Sequence, residues 1–268
     1  MGRTGLTRFG GYISEEWLPE LQGRKGAEIY KRMADGDAIV GGYLFAIQQL
    51  AKSVPWFAVP GDNSERGQKD ARFLESCIYD MSSPWPSTLD EILSMLPAGW
   101  SYMEKVFKIR RGPRQKDPRF HSQYKDGRIG WAKWAPRAQE SMNEWIYDED
   151  TDTLVGMSQI PAPDYQERRI PLDKALHFVT TSSKGNPEGR SILRNAYRSW
   201  YMKTNIEDLE GIGIERDLAG YPTLYIPLEV FKQETDESAE SYNDFLDVIS
   251  NIRRDEAEGI LLPAVFDA

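Results

Sequence analysis

The sequence has one cysteine, Cys77, and only two histidines, His121 and His177, in 268 residues. A single thiol excludes an intrachain disulfide, and its neighbours Phe73, Leu74 and Ile78 predict a buried side chain rather than a redox centre. Two imidazoles far apart in sequence, with no cysteine beside them, argue against a histidine and cysteine zinc set. Long apolar runs are missing too. The longest, Ala38 to Ile47, holds two glycines and is about half of the ~18 to 20 residues a membrane helix needs. Met1 to Leu6 lacks the apolar core of a secretory signal. These absences predict a soluble protein, of the cytosol or of an assembly built there. There is no internal repeat and no low-complexity tract.

Aromatics are plentiful, eight of them Trp, and 40% of residues are hydrophobic, so the chain can bury a core. At roughly 150 residues per domain it has room for one large or two ordinary domains. The net charge of -9 is unevenly placed. Glu215 to Ala268 holds thirteen acidic and four basic residues, a net of -9, which leaves 29 of each before it. Lys105 to Arg137 holds eleven basic residues against Asp117 and Asp126 alone. Such segregation points to different partners for the two ends.

Apolar spacing through Ile29, Tyr30, Met33, Val40, Tyr43, Leu44, Ile47, Leu50 and Val54 predicts helix over 27–54, broken at Asp35-Gly36-Asp37. Pro55 to Pro60 reads as a short strand. Glu65 to Met81 reads as a helix with Ala71, Phe73, Leu74, Cys77, Ile78 and Met81 inward, and Ser87 as the N-cap of a helix to Leu96. Alternation predicts a strand over Trp100 to Ile109. A hairpin follows, Ser141 to Tyr147 with Thr153 to Ile160, then a strand over Ala175 to Thr181. Ser191 is expected to cap a continuous helix to about Ile212 packed through Leu193, Ala196, Tyr197 and Trp200. Tyr221 to Pro227 predicts a strand, 238–254 a helix with Tyr242, Phe245, Leu246, Ile249 and Ile252 on one stripe, and Gly259 to Val265 a last strand. The fold class is α+β.

No pattern calls for a cofactor or a catalytic centre. Asp148, Glu149, Asp150 and Asp152 lack the glycine and terminal glutamate of a calcium loop, and read as a hairpin turn. Lys184 to Ser191 has three residues between Gly185 and Gly189, followed by Arg190, where a phosphate loop needs four and then Lys. Neither histidine adjoins a nucleophile motif, and no spacing singles out a glycosidase carboxylate pair. Two charged groups remain as candidate surfaces. Lys105, Lys108, Arg110, Arg111, Arg114, Lys116 and Arg119, interleaved with Phe107 and Phe120, form a basic docking or nucleic-acid patch. Glu234, Asp236, Glu237, Glu240, Asp244 and Asp247 are acids for a DNA channel or for a docking face.

Word patterns carry the reading further. Ile29-Tyr30-Lys31-Arg32-Met33 with Asp35, Asp37 and Val40, and then Ala51 to Pro60, resemble the opening of tailed-phage portal proteins, especially the group related to that of phage Mu. Gly99, Tyr102 and Glu104, the segment Trp131 to Arg137, Leu176-His177-Phe178-Val179, Gly189 to Arg194 with Ala196, Tyr197, Trp200 and Lys203, and Glu215 to Pro222 keep the order of that family.

The resemblance spans most of residues 27–266. It implies a portal-like fold with a mixed α/β wing domain over 1–190, a stem helix over 191–214, and the start of an α/β clip domain over 215–268. The family pattern continues with the rest of the clip, a second stem helix, a tunnel loop and usually a crown. It also implies a non-enzymatic ring of about twelve subunits at one capsid vertex of the virion, assembled in the host cytoplasm, with no cofactor and no membrane partner. Double-stranded DNA would pass through the ring, terminase would dock and be followed by a head-tail adaptor, and the major capsid protein or scaffold would surround it. The rival reading is a free DNA-binding or DNA-processing protein using the basic stretch 105–137.

Overall fold

Asp37 sets the first break in the chain. Its carboxylate accepts hydrogen bonds from the backbone N–H groups of Ile39 and Val40, so a new helix starts one residue after the previous one ends. The result is α1 (Gly23–Gly36) and α2 (Ala38–Ser53), the pair expected over 27–54. The computed structural model describes residues 4–219, 223–250 and 260–264, and the architecture is α+β. It divides into two compact units, Met1–Tyr197 and Arg198–Ala268.

In the first unit, β1 (Arg8–Phe9) and β2 (Tyr12–Ile13) form a small hairpin before α1. Pro55 to Pro60 forms no strand: its two prolines have no N–H to give a ladder, and the Trp56 carbonyl instead accepts the Tyr79 hydroxyl at 3.0 Å. α3 (Glu65–Tyr79) is capped by the Ser64 hydroxyl, which accepts the Gly67 N–H. Cys77 and, just beyond the helix, Met81 are buried, whereas Leu74, expected inward, is exposed. α4 (Trp85–Leu93) starts at Pro84 rather than at Ser87, because proline in the first turn needs no intrahelical N–H bond. α5 (Met95–Ala98) follows and ends at Gly99.

The strand expected from Trp100 is β3 (Trp100–Ile109), the centre of an antiparallel sheet between β4 (Ile129–Arg137) and β8 (Ala175–Val179). A second antiparallel sheet orders β5 (Met142–Tyr147), β6 (Leu154–Gln159) and β7 (Arg168–Pro171). β3 is buried on both faces at its start. Trp100 and Tyr102 pack with Trp145, Met157 and Ile170 of the second sheet, and Met103 packs on the other face with Met81, Ile92 and Trp134 beside the helices.

Gly99 and Gly189 let two backbone segments meet. Both have positive φ, +97° and +57°, and a Cβ on Gly99 would lie 2.4 Å from the Glu188 carbonyl oxygen, while one on Gly189 would lie 2.5 Å from that of Gly99. This contact leads the chain into the long helix, whose expected start at Ser191 is corrected. Residues 192–196 form turns, closed by Arg194 N–H to the Ser191 carbonyl and Ala196 N–H to the Leu193 carbonyl. The Ser191 hydroxyl accepts the Leu193 N–H and holds the turn. α6 therefore runs Tyr197–Ala219, beginning six residues later than expected and extending past Ile212. Leu193 and Tyr197 are buried and Trp200 is half-buried, but Ala196 is exposed, since turn geometry does not keep helical spacing.

In the second unit, β9 (Thr223–Pro227) and β10 (Ile260–Ala264) pair in parallel, with α7 (Leu228–Lys232) and α8 (Asp236–Ser250) in the crossover that parallel strands require. Ile226 and Ile249 are buried in it. From the expected elements, Gly220 to Pro222, residues 251–254 with Ile252, Gly259 and Val265 lie outside the described residues, as do the acids Asp255, Glu256, Glu258 and Asp267.

Candidate functional site

The basic stretch does not form one surface. The bulge in the β3–β4 hairpin lies on β4, where Ala132 is the extra residue; β3 runs past it with its alternation intact, so that Lys108 and Arg110 turn towards α3 while Phe107 and Ile109 turn out. Lys108 is 4% exposed; its Nζ lies 3.1 Å from Asp80 Oδ2 and donates to the Asp80 carbonyl and, at 2.7 Å, to the His121 carbonyl. The Asp80 carboxylate also accepts the Ser122 hydroxyl at 2.7 Å and the Gln123 N–H at 2.8 Å. Arg110, 2% exposed, pairs with Asp126 at 3.2 Å, donates to the Ser76 hydroxyl at 2.8 Å, and stacks 3.8 Å from the centre of the Tyr124 ring. Both cations pin the 111–128 loop to α3. They are removed from the docking patch, because both charges are buried and already paired, out of reach of a phosphate at the surface. Arg111, Arg114, Lys116 and Arg119 are exposed, with Arg119 paired to Asp117 at 2.7 Å, and Lys105 is half-buried.

The acids of the second unit are arranged differently. Glu234, Asp236, Glu237, Glu240, Asp244 and Asp247 are all exposed. At about 100° per residue, the five on α8 fall within an arc of about 100°, opposite Tyr242, Phe245 and Ile249. Helical spacing thus gathers the carboxylates on one strip and the apolar residues on the side that meets α7, where Tyr242 packs its ring 6.3 Å from that of Phe231. Glu234 precedes the helix and lies 3.6 Å from Lys232.

Asp148 closes the β5–β6 turn, accepting the backbone N–H groups of Thr151 and Asp150 and the Thr151 hydroxyl. The Thr151 N–H holds its carboxyl below the usual range. Among the described residues, no three His, Cys, Asp or Glu side chains converge as a metal site.

One ionisable cluster gave no sequence signal. Glu188 is half-buried behind the Gly99 and Gly189 contact, and its carboxylate accepts the Trp145 indole N–H at 3.2 Å. Burial pushes it up to about 7, against that hydrogen bond. His177 packs with its ring centre 5.1 Å from that of Trp145 and donates Nε2–H to the Pro187 carbonyl at 2.9 Å. Burial pulls it down to about 4, so it is neutral. Nearby, a cleft of about 580 Å³ opens between α1 and the 181–195 segment, with Glu16 and Arg194 paired in its wall. This is a structural cluster at the entry to α6, without a nucleophile or convergent acid and base pair.

The sequence model of one family, described as the portal protein of Mu bacteriophage, matches residues 27–216. The chain belongs to that family. The Mu-type portal match runs from α1 through most of α6, and with it comes a structural rather than an enzymatic role. Among solved structures, a chain in the virion of a native gene transfer agent particle is 9% identical, with a TM-score of 0.47, 89% of this chain covered and 56% of that one. A chain in the neck of the native particle, computed with C12 symmetry, is 11% identical with a TM-score of 0.47, 82% and 54% being covered. One in the neck of the empty particle, computed with C6 symmetry, gives 10% and 0.43, with 85% and 56% covered. The chain thus spans little more than half the length of the chains it matches.

Proposed function

We propose that the protein is a portal subunit that closes into a ring of about twelve copies at one capsid vertex and lets double-stranded DNA in during packaging and out during ejection. The match to the Mu portal family over 27–216 carries this reading. We take α6 as the stem, the unit before it as the wing and the β9–β10 unit as the start of the clip. Terminase docks on the ring first, a head-tail adaptor replaces it, and the major capsid protein or scaffold surrounds the wing.

The electrostatics support a conduit rather than a DNA clamp. Duplex DNA carries one negative charge per about 1.7 Å, so a basic wall would hold it, whereas an acidic wall leaves it mobile. The carboxylate strip of α8 is of the second kind, and two of the seven cations in the basic patch, Lys108 and Arg110, are spent inside the fold. That weakens the free DNA-binding reading by the two cations at its centre. Native mass spectrometry and particle imaging test the proposal: a closed high-order ring is expected, and a protein that stays monomeric at micromolar concentration overturns it.

A further inference from the structure

Helix α2 has no charged side chain from Ala38 to Ala51 and buries only Leu44. Ile39, Tyr43, Ile47 and Leu50 recur at intervals of four, four and three, the spacing of a packing stripe, within an arc of about 80°. They are between 40% and 71% exposed. The Trp56 indole donates to the Ala51 carbonyl at 3.1 Å and folds the next segment back on the helix end, where Val54 and Phe57 are exposed as well.

The far end of the β3–β4 hairpin presents its apolar residues on the same side of the central sheet as this helix. Alternation along β3 puts Met103, Phe107 and Ile109 on one side, and the register adds Trp131 opposite Phe107 and Ile129 opposite Ile109. α4 covers the Met103 end, where Ile92 and Trp85 pack with Met103, Trp131 and Trp134. α2 sits on that side too, tied to α4 by Lys52 and Asp90 at 2.6 Å and by the Trp56 and Trp85 rings, 5.8 Å apart. Nothing among the described residues closes over the far end, and Phe107, Ile109 and Ile129 stay 48%, 42% and 65% exposed.

We propose that the α2 stripe and the Phe107, Ile109 and Ile129 end form one face, and that a second copy of this chain covers it. The inference rests on the ring reading and adds where a subunit meets its neighbour. Area is the first argument for a copy. With Val54 and Phe57, these side chains expose on the order of 1,100 Å², against the few hundred that a monomer leaves open and the about 800 Å² per partner of a standard interface. Chemistry is the second, since the uncharged run of α2 gives a charged partner or a phosphate backbone nothing to pair with. Copy number is the third: a closed ring covers this face on every subunit at once, whereas a partner present in fewer copies would leave most of these faces in water.

Two double variants of the full chain test it, Tyr43→Glu with Leu50→Glu and Phe107→Glu with Ile129→Glu, checked for wild-type melting and followed by native mass spectrometry. Gln at the same positions serves if the Glu forms do not fold. Each variant should lose the ring that the wild type forms, and a one-to-one mixture should restore neither ring nor dimer, because both have lost the same face. Rings from either variant would overturn the contact, and a mixture that pairs would make the two parts separate surfaces rather than one. Flotation of the wild type on phosphatidylcholine vesicles that is lost in the α2 variant would give the face to a membrane and overturn it too. A wild type that forms no ring sinks the ring reading itself, whereas rings that persist in the variants sink this inference alone.

Discussion

Replacing Lys108 by Met removes the cation from a pair whose side chains are 1% and 2% exposed. The apolar stem of the lysine is largely matched by Met, so the loss is electrostatic. Asp80 keeps the Ser122 hydroxyl and the Gln123 N–H, but its charge is uncompensated, and the carbonyls of Asp80 and His121 lose a donor. Breaking a buried pair by removing one partner costs about 3 to 5 kcal/mol. In a unit of this size, 1 kcal/mol shifts the melting temperature by about 2 to 4 °C, so a fall of roughly 6 to 20 °C is expected by calorimetry. Asp80→Asn in the Lys108→Met background should cost less than the sum of the singles, because the stranded charge is gone and an acceptor for Gln123 stays. DNA binding and its salt dependence should be unchanged in folded Lys108→Met. A variant that melts as the wild type does, yet loses DNA affinity, would show that Lys108 is an exposed phosphate contact and refute the internal pair.

Three further outcomes are expected. Glu188, raised to about 7 in the fold from 4.5, destabilises the native state as pH rises from 4.5 to 7; His177, lowered to about 4 from 6.5, destabilises it as pH falls from 6.5 to 4. In urea titrations His177→Gln should gain stability on acidification across that window and Glu188→Gln should lose it, and identical profiles in the two variants would contradict the burial of both groups. Asn at Asp148, Asp150 and Asp152 should leave ring assembly and calorimetric titrations with Mg²⁺ or Ca²⁺ unaltered, apart from a slightly weaker turn where Asp148 accepts from Thr151; measurable metal binding lost in the triple variant would make the turn a site. Lys at Glu237, Glu240 and Asp244 should tighten duplex DNA binding and slow packaging, and normal packaging with normal terminase binding would remove the acidic strip from both conduit and docking roles.

Period and punctuation made the elements legible, because local rules decide them. Asp37 caps α2 whatever surrounds it, and β3 spans Trp100–Ile109 as its alternation predicts. The misses come from choices made by tertiary contacts. Pro55 to Pro60 has strand composition but no neighbouring edge, and Ser191 has a helix-capping side chain that closes a turn instead. The basic stretch was visible as residues but not as a site, since its meaning depends on which side of β3 the fold covers, and α3 with the 111–128 loop covers the side of Lys108 and Arg110. Glu188 and the Gly99 and Gly189 contact were opaque for a related reason. Their partners are Trp145, 43 residues away, and a backbone approach across 90 residues, which spacing along the chain cannot encode.

A ring that transports DNA has to hold itself together without holding its cargo. Contacts between cations and phosphates weaken steeply as salt rises, whereas apolar burial does not, so joining subunits by apolar surfaces separates the two strengths. The β3–β4 hairpin bears on both needs. Alternation along β3 turns Lys108 and Arg110 inward, which withdraws two cations that would grip a phosphate backbone, and leaves Phe107 and Ile109 at the surface. Deleting Phe107 moves Lys108 and Arg110 one place along β3 and so onto its exposed side, which should do two things at once, weakening assembly and exposing positive charge. Measured as ring population and as duplex DNA affinity over a salt series, the first should fall and the second should rise with a steeper salt slope. A deletion that changes assembly while leaving DNA affinity and its salt slope at the wild-type values would break the link between the two.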